Sequence, residues 1–350
     1  MIRTPVTLPR LDPTALPCLL ADADRLPLLI TGIAGVAGYN GFAFFRSRYG
    51  DKVTGQRPEN NWPLSGPGIV GIDLEDVDGI RRLLDEGEFR TVLNCGGSCA
   101  LKSCELDPIM ARRVNVSGIE KLLDEMEQRP IRFVHLSIDL VYSGTGSGSH
   151  VESDQPDPVT VYGKTMVEAE QMILARRPDS CVARISLPMG VSFNGHAGAI
   201  DWIQHRFASN KPATLYFDEV RTPTYVGCLN ETLERILASD LSGLFHAGGQ
   251  RKLSLYQIAQ IVNRVGGYNP DLLQGCPRIE AGPMPPRAGN VTMDSSQLAT
   301  ALGIQPFIPW PYLAEQVPTD RRWHYGRNGF CGSLELLKDT LYLRPQESQT

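Results

Sequence analysis

The sequence predicts a doubly wound α/β fold, a parallel sheet covered by helices on both faces, with a smaller C-terminal α/β lobe. Three observations predict it. Short apolar runs alternate with helix patterns through the first half of the chain, as in sheets built from crossover units. A glycine-spaced turn, Thr31-Gly32-Ile33-Ala34-Gly35-Val36-Ala37-Gly38, joins the first apolar run to the first long helix. After Leu187 the alternation loosens into Gly- and Pro-rich loops between short helices. The chain has 350 residues, enough for a sizeable core and one or two lobes. With 42% apolar and 21% charged residues it has the composition of a globular chain, which excludes wholesale disorder.

The elements follow in order. Residues 1–26 carry Pro5, Pro9, Pro13 and Pro17 and lack the apolar core of a secretion signal, so they read as an extended surface arm. Strands are expected at Leu28–Thr31, Lys52–Thr54, Ile69–Ile72, Thr91–Asn94, Arg132–Ser137 and Cys181–Ile185. Helices are expected at Tyr39–Tyr49, Val77–Leu84, Ser117–Gln128 and Tyr162–Arg176. These fill a Rossmann domain at 27–187, which late strands from the C-terminal half rejoin. Residues 188–316 form the smaller lobe, with helices at Ser254–Val265 and Asp294–Leu302. Residues 317–350 are a tail without an assignable pattern. Ser143–Ser149, alternating Ser, Gly and Thr, reads as a flexible loop near the substrate mouth.

The glycine turn carries the first chemistry. Strand, glycine turn and helix in succession make a dinucleotide site. Gly32 permits the tight turn, Gly35 lets the backbone approach a pyrophosphate, and Gly38 lets helix and strand pack closely. The diphosphate would rest on the helix N-terminus, touching Thr31, Gly32, Gly35, Val36, Ala37 and Gly38. The second strand ends Gly55-Gln56-Arg57. An acid there would hold the ribose hydroxyls of NAD. Gln56 with Arg57 favours NADP(H) over NAD(H), since a guanidinium pairs with a 2′-phosphate. Asp73 and Leu74 would face the adenine, although Asp73 equally suits capping the helix that begins near Asp76. Asn94-Cys95-Gly96-Gly97 ends the fourth strand, where small residues let a ribose lie close.

Several classes are disfavoured. A net charge of −5 argues against nucleic acid as a partner. No apolar run reaches the length of a membrane span. None of the eight cysteines forms C-x-x-C, so no metal site is expected and the thiols read as reduced and buried in a cytoplasmic protein. His135 lies on an apolar strand and reads as a core histidine; His196 and His205 read as surface residues.

Thr31 and the G-x-x-G-x-x-G spacing resemble the short-chain dehydrogenase/reductase superfamily. Further segments resemble its extended branch, specifically the dTDP-4-dehydrorhamnose reductase-like group. They are Arg113–Gly118, Leu136–Tyr142, Glu152 with Pro156 and Pro158, Tyr162–Thr165, Arg221–Gly227, Gly243–Gly248 and Asp294–Gly303. The resemblance implies a catalytic Ser or Thr, a Tyr, and a Lys four residues after the Tyr. Here Tyr162 is present, Met166 holds the Lys position and Ile138 holds the Ser/Thr position. Lys164, two residues on, should point elsewhere. Ser137 neighbours Ile138 but should face the other side of its strand. Ser137, Asp139 and Arg221 are the candidates for holding substrate; Arg221 suits either a substrate phosphate or anchoring its own loop. The resemblance implies a nucleotide-linked keto-sugar or similar carbonyl as substrate. Two functions remain open: a reductase in which Tyr162 alone is the acid, and a non-catalytic cofactor-binding protein. The regulatory β subunit of methionine adenosyltransferase is a family precedent for the second. A homodimer or a partner subunit fits either.

Overall fold

The structure is a computed structural model that describes residues 18–195, 198–282, 285–327 and 329–343. Most of the expected arm, the end of the tail and His196 therefore lie outside the described residues. The chain begins with α1 (Leu19–Asp22), β1 (Leu28–Thr31), α2 (Val36–Tyr49), β2 (Val53–Arg57), β3 (Ile69–Gly71), α3 (Val77–Gly87) and β4 (Thr91–Asn94). It continues through α4 (Leu101–Leu106), α5 (Pro108–Arg112), α6 (Gly118–Met126), β5 (Arg132–Ile138), α7 (Val161–Arg176) and β6 (Cys181–Ile185). The second half holds β7 (Pro188–Met189), α8 (Ala199–Ala208), β8 (Ala213–Tyr216), β9 (Val220–Arg221), β10 (Thr224–Tyr225), α9 (Val226–Ala238) and β11 (Gly243–Ala247). Last come β12 (Leu253–Ser254), α10 (Leu255–Val265), β13 (Leu273–Cys276), α11 (Ser296–Leu302) and α12 (Leu334–Leu341).

Seven strands form one parallel sheet in the order β3-β2-β1-β4-β5-β6-β11. The order reverses between β1 and β4, the switch point at which ligands bind in such sheets. Alternation along β1 shows the double winding. Leu28 and Ile30 join the core under α2 and α9, while Leu29 joins the core under α3 and α6. β11 is the late strand that rejoins the sheet, and α9 returns with it, packing on α1 and α2. The smaller lobe is held by three two-stranded pairs: β7 with β10, β9 with β12, and β8 with β13.

Four expectations change. The end of the expected surface arm is helical, and Leu20 of α1 is fully buried in the core. The first long helix begins at Val36, because Gly35 in extended geometry serves as its N-cap. The Ser143–Ser149 stretch is tied down. Ser143 donates from N and Oγ to Asp157, Asn290 Nδ2 donates to the Ser147 carbonyl, and Ser149 N donates to Thr292 Oγ1. Gly144 and Gly148 serve close packing here: a Cβ at Gly144 would lie 2.5 Å from the Asn290 nitrogen, and one at Gly148 2.2 Å from Asn290 Oδ1. The tail has structure as well. Leu337, Leu341 and Tyr342 of α12 and its end enter the core, and Trp310 Nε1 donates to the Leu341 carbonyl at 2.8 Å.

Candidate functional site

Two turns meet at the switch point. Gly32 has φ +70°, and a Cβ on it would lie 2.4 Å from Gly96 Cα. A Cβ on Gly38 would lie 2.4 Å from the Gly32 carbonyl oxygen. Both glycines are therefore required by the fold itself. Gly35 differs: the nearest atom to a Cβ there is 3.8 Å away. Its missing side chain leaves a cradle that none of the described residues fills. The cradle opens on the first turn of α2, which has no side-chain cap and no acidic residue. Its free N–H groups favour an anion. These features fit a dinucleotide diphosphate held by Thr31 to Gly38.

Asn94 fixes the opposing turn. Its Oδ1 accepts from Thr31 Oγ1 at 2.6 Å and from Gly96 N at 3.0 Å. Its Nδ2 is therefore the donor to His135 Nδ1 at 3.0 Å. Burial pushes His135 down to about 3, so it is a neutral acceptor at Nδ1, as a core histidine should be. Burial also pushes the Cys95 thiol up to about 12. Gly96 stays close to Leu74, whose Cδ1 a Cβ would approach at 3.3 Å; Leu74 packs on this turn and on Gly118.

The end of β2 is more occupied than expected. Gln56 is 1% exposed; its Oε1 accepts from Gly32 N at 3.0 Å and its Nε2 donates to the Ile72 carbonyl. Arg57 folds back on its own loop, with Nε on the Leu64 carbonyl at 2.6 Å and Nη1 on the Pro58 and Glu59 carbonyls. Only Nη2 keeps no such bond among the described residues. Asp73 does not cap the following helix. Asp76 does, accepting from Gly79 N, while Asp73 accepts from Glu59 N at 3.1 Å.

Tyr162 stands in the first turn of α7, which Thr160 caps through Gly163 N. Its hydroxyl has no hydrogen-bond partner among the described residues. Burial pushes its pKa far up, and the nearby Cys99, Asp139 and Cys104 push the same way. Met166, one turn on, is buried in an apolar cluster with Tyr162, Tyr142, Val291 and Met293, and Ile138 packs against it. Lys164 is exposed. No cation stands at the position four residues after the Tyr.

The candidate substrate residues are engaged inside the protein. Ser137 is buried and donates to Glu170 Oε1 of α7, so its hydroxyl is engaged within the protein. Asp139 and Arg221 form a bidentate pair at 2.7 Å on both arms, and Ser186 Oγ adds a bond to Asp139 at 2.6 Å. Arg221 is the anchor of its loop. The reason is burial: at 4% and 0% exposure each charge requires the other.

Two features extend the reading of the sequence, the first within the Arg113–Gly118 segment that carried the resemblance. Asn115 sits in a π-turn, Arg113–Ser117, before α6. It accepts from Ser98 N at 2.6 Å and donates to Thr165 Oγ1 at 2.9 Å, joining the turn after β4 to α7. Beneath α7, Arg184 pairs with Glu170 at 2.9 and 2.7 Å and donates to Tyr142 at 2.6 Å. A charge inside the apolar run Cys181–Ile185 was the available signal, because a buried arginine demands a partner.

The sequence model of the RmlD substrate binding domain family matches residues 27–317. A dTDP-4-dehydrorhamnose reductase of Mycolicibacterium smegmatis is 27% identical over 241 residues, covering 68% of this chain and 72% of the relative. Methionine adenosyltransferase 2 subunit beta of Xenopus tropicalis is 25% identical over 320 residues, covering 84% and 89%. The solved dTDP-4-dehydrorhamnose reductase of Bacillus anthracis, in complex with NADP, superposes with a TM-score of 0.70 at 16% identity, covering 81% of this chain and 95% of that one. The chain belongs to the RmlD substrate binding domain family and has its doubly wound fold.

Proposed function

We propose that this protein binds NADP(H) across the β1–β4 switch point and reduces the carbonyl of a sugar, nucleotide-linked or similar, with Tyr162 as its proton donor. The observation that carries this reading is the cradle at Gly35, open over the uncapped first turn of α2. The reductase named among the relatives supports the reaction class. When bound, the nicotinamide supplies hydride. The chain's own part is positional. The Gly32–Gly38 turn holds the diphosphate, the Asn94–Gly97 turn leaves room for a ribose, and Tyr162 presents a neutral hydroxyl to a carbonyl oxygen. Its raised pKa keeps that hydroxyl protonated at all ordinary pH, which suits reduction and disables it as a base for alcohol oxidation.

A second reading has its own observation. Met166 and Ile138 close an apolar wall around Tyr162, so the protein would hold the cofactor without turnover and serve a partner subunit. The relative named as a β subunit supports that class. One experiment separates the readings. Calorimetry should show NADPH binding, tighter than NADH. Single-turnover mixing of the NADPH-loaded protein with a dTDP-4-keto-6-deoxyhexose should then show NADPH absorbance falling, at a rate flat from pH 6 to 9. Binding without any absorbance loss sinks the reductase and leaves the partner-subunit reading. Absence of NADPH binding sinks both.

A further inference from the structure

A row of polar side chains crosses the sheet at the switch point. Thr31, Asn94 and His135 stand opposite one another on β1, β4 and β5 in the parallel register, and all three are fully buried. Two residues earlier, the same face carries Leu29, Val92 and Phe133, which belong to the apolar core under α3 and α6. Hydrogen bonds join the polar row. Thr31 Oγ1 donates to Asn94 Oδ1 at 2.6 Å, and Asn94 Nδ2 donates to His135 Nδ1 at 3.0 Å. The row ends there, because the next residue in register is Val182 on β6, an apolar member of the same core.

An imidazole at the end of this row weakens the core. With Nδ1 accepting, the ring proton sits on Nε2, and Nε2 is buried without a partner among the described residues. An orphaned buried N–H costs stability that an apolar side chain would not. Phe133 and Val182 beside it are apolar, so packing alone does not call for a histidine. What the ring supplies is one acceptor, aimed at Asn94.

That acceptor decides which way the Asn94 amide faces. Gly96 N is a donor and needs Oδ1, which it meets at 3.0 Å. His135 Nδ1 is an acceptor and needs Nδ2. Together they admit one orientation. Turned over, the amide would set Nδ2 against the Gly96 N–H and Oδ1 against the lone pair of His135 Nδ1. The Asn94–Gly97 turn depends on that orientation, since Oδ1 accepts from both Thr31 and Gly96.

We infer that His135 is a positioning residue for the dinucleotide: it locks the Asn94 amide and so holds the Asn94–Gly97 turn in the form that leaves room for a ribose. It is fully buried and acts through Asn94. The inference rests on the reading of that turn as part of an NADP(H) site.

Three variants of the full chain separate positioning from packing. His135→Leu fills the space and offers no acceptor. His135→Asn leaves a small void but carries an amide oxygen where Nδ1 stood. His135→Gln extends its amide past that point, to the Nε2 end of the ring. Each is titrated with NADPH by calorimetry and unfolded in urea without it. NADPH affinity should fall at least fivefold in His135→Leu and His135→Gln, and stay within twofold of wild type in His135→Asn. His135→Asn should nevertheless be less stable than His135→Leu, so affinity follows the acceptor while stability follows the packing. Wild-type affinity in His135→Leu, or a loss in His135→Asn as large as in His135→Leu, would overturn the inference. In an Asn94→Ala background, His135→Leu should weaken NADPH by less than a further twofold; a full fivefold loss there also overturns it. Should His135→Leu fail to fold, His135→Gln against His135→Asn carries the same test. A wild type that does not bind NADPH refutes the cofactor reading instead. The positioning is then read from hydrogen exchange at the Gly96 amide, which should be faster in His135→Leu than in His135→Asn; equal rates overturn it.

Discussion

The turn after β1 and the first turns of α7 face one candidate site, yet they have diverged differently from the pattern their sequence resembles. The glycine turn keeps every feature that the backbone demands. Gly32 sits at positive φ against Gly96, Gly38 sits against the Gly32 carbonyl, and Gly35 stays open. The α7 face carries Tyr162 with Met166 and Ile138 packed about it, and on the proposed reading these two stand where the resemblance implies a lysine and a hydroxyl. The difference teaches where tolerance lies. A backbone crossing so close that a Cβ would lie 2.4 Å from the neighbouring chain permits one residue type whatever the protein does. A side-chain constellation is kept only by its chemistry, and once that chemistry changes, packing takes it over.

The largest way to break the comparison is at Gly38. Gly38→Val drives Cβ and two methyls into the Gly32 carbonyl, where even Cβ would be 2.4 Å away. The cost should be on the order of 5 kcal/mol, a large part of a domain's stability. Urea denaturation should show a low midpoint or no folded baseline. A variant as stable as wild type would show that the helix can slide from the strand, and that the glycine turn is held by something other than the fold.

At the α7 face the matching change is Met166→Lys, which returns a charge one turn from Tyr162. Met166 is 3% exposed among apolar side chains. The ammonium should be driven toward neutrality by roughly three pKa units, costing about 4 kcal/mol at pH 7. Adding NADPH should recover part of the melting temperature if the lysine reaches a cofactor ribose. A full loss with no recovery would show that this face has been rebuilt for packing alone. Ile138→Thr added to it should raise reductase turnover above the single variant.

What could be read beforehand divides along the same line. β1, β4 and β6 run over the residues expected of them, because short apolar runs bounded by turns leave little freedom. The Gly32 and Gly38 roles in the turn were legible because each is a backbone requirement. The fates of Arg57, Asp139 and Arg221 were not. Whether a guanidinium meets a ligand or a carbonyl depends on where residues 64, 139 and 219 arrive in space, and no local pattern encodes that. The Ser143–Ser149 loop misled for a similar reason. Its composition suits a free linker, but Gly144 and Gly148 serve contact with residues 289–292, which are far away in sequence.

A smaller effect sharpens the comparison inside the glycine turn. Gly35 has φ −81° and ψ 166°, an ordinary extended conformation, and 3.8 Å of clearance. Gly35→Ala should therefore leave the unfolding free energy within about 1 kcal/mol, because alanine is the poorer N-cap but also restricts the unfolded chain. NADPH affinity should fall at least about tenfold, near 1.4 kcal/mol, because the methyl fills the cradle. Unchanged affinity would mean that the diphosphate does not lie over this residue. Loss of stability without loss of affinity would place Gly35 with Gly38, as a glycine that the fold needs.

The smallest expected effect is at Arg57, where the preserved and the rebuilt regions meet. Its Nε and Nη1 brace the loop after β2 through the Leu64, Pro58 and Glu59 carbonyls, leaving Nη2 for a 2′-phosphate. Gln56 cannot substitute, since Gly32 N and the Ile72 carbonyl occupy both ends of its amide. A single charge-assisted contact from a part-exposed arginine contributes about 1 kcal/mol. Arg57→Ala should thus weaken NADPH about fivefold while weakening NADH much less, as read by calorimetry of both cofactors. Raising the salt concentration should narrow the gap between NADPH and NADH in the wild type and leave it unchanged in the variant. An equal fall for the two cofactors would make Arg57 a loop brace only. The β2 end would then belong with the α7 face, as a place where packing has replaced recognition.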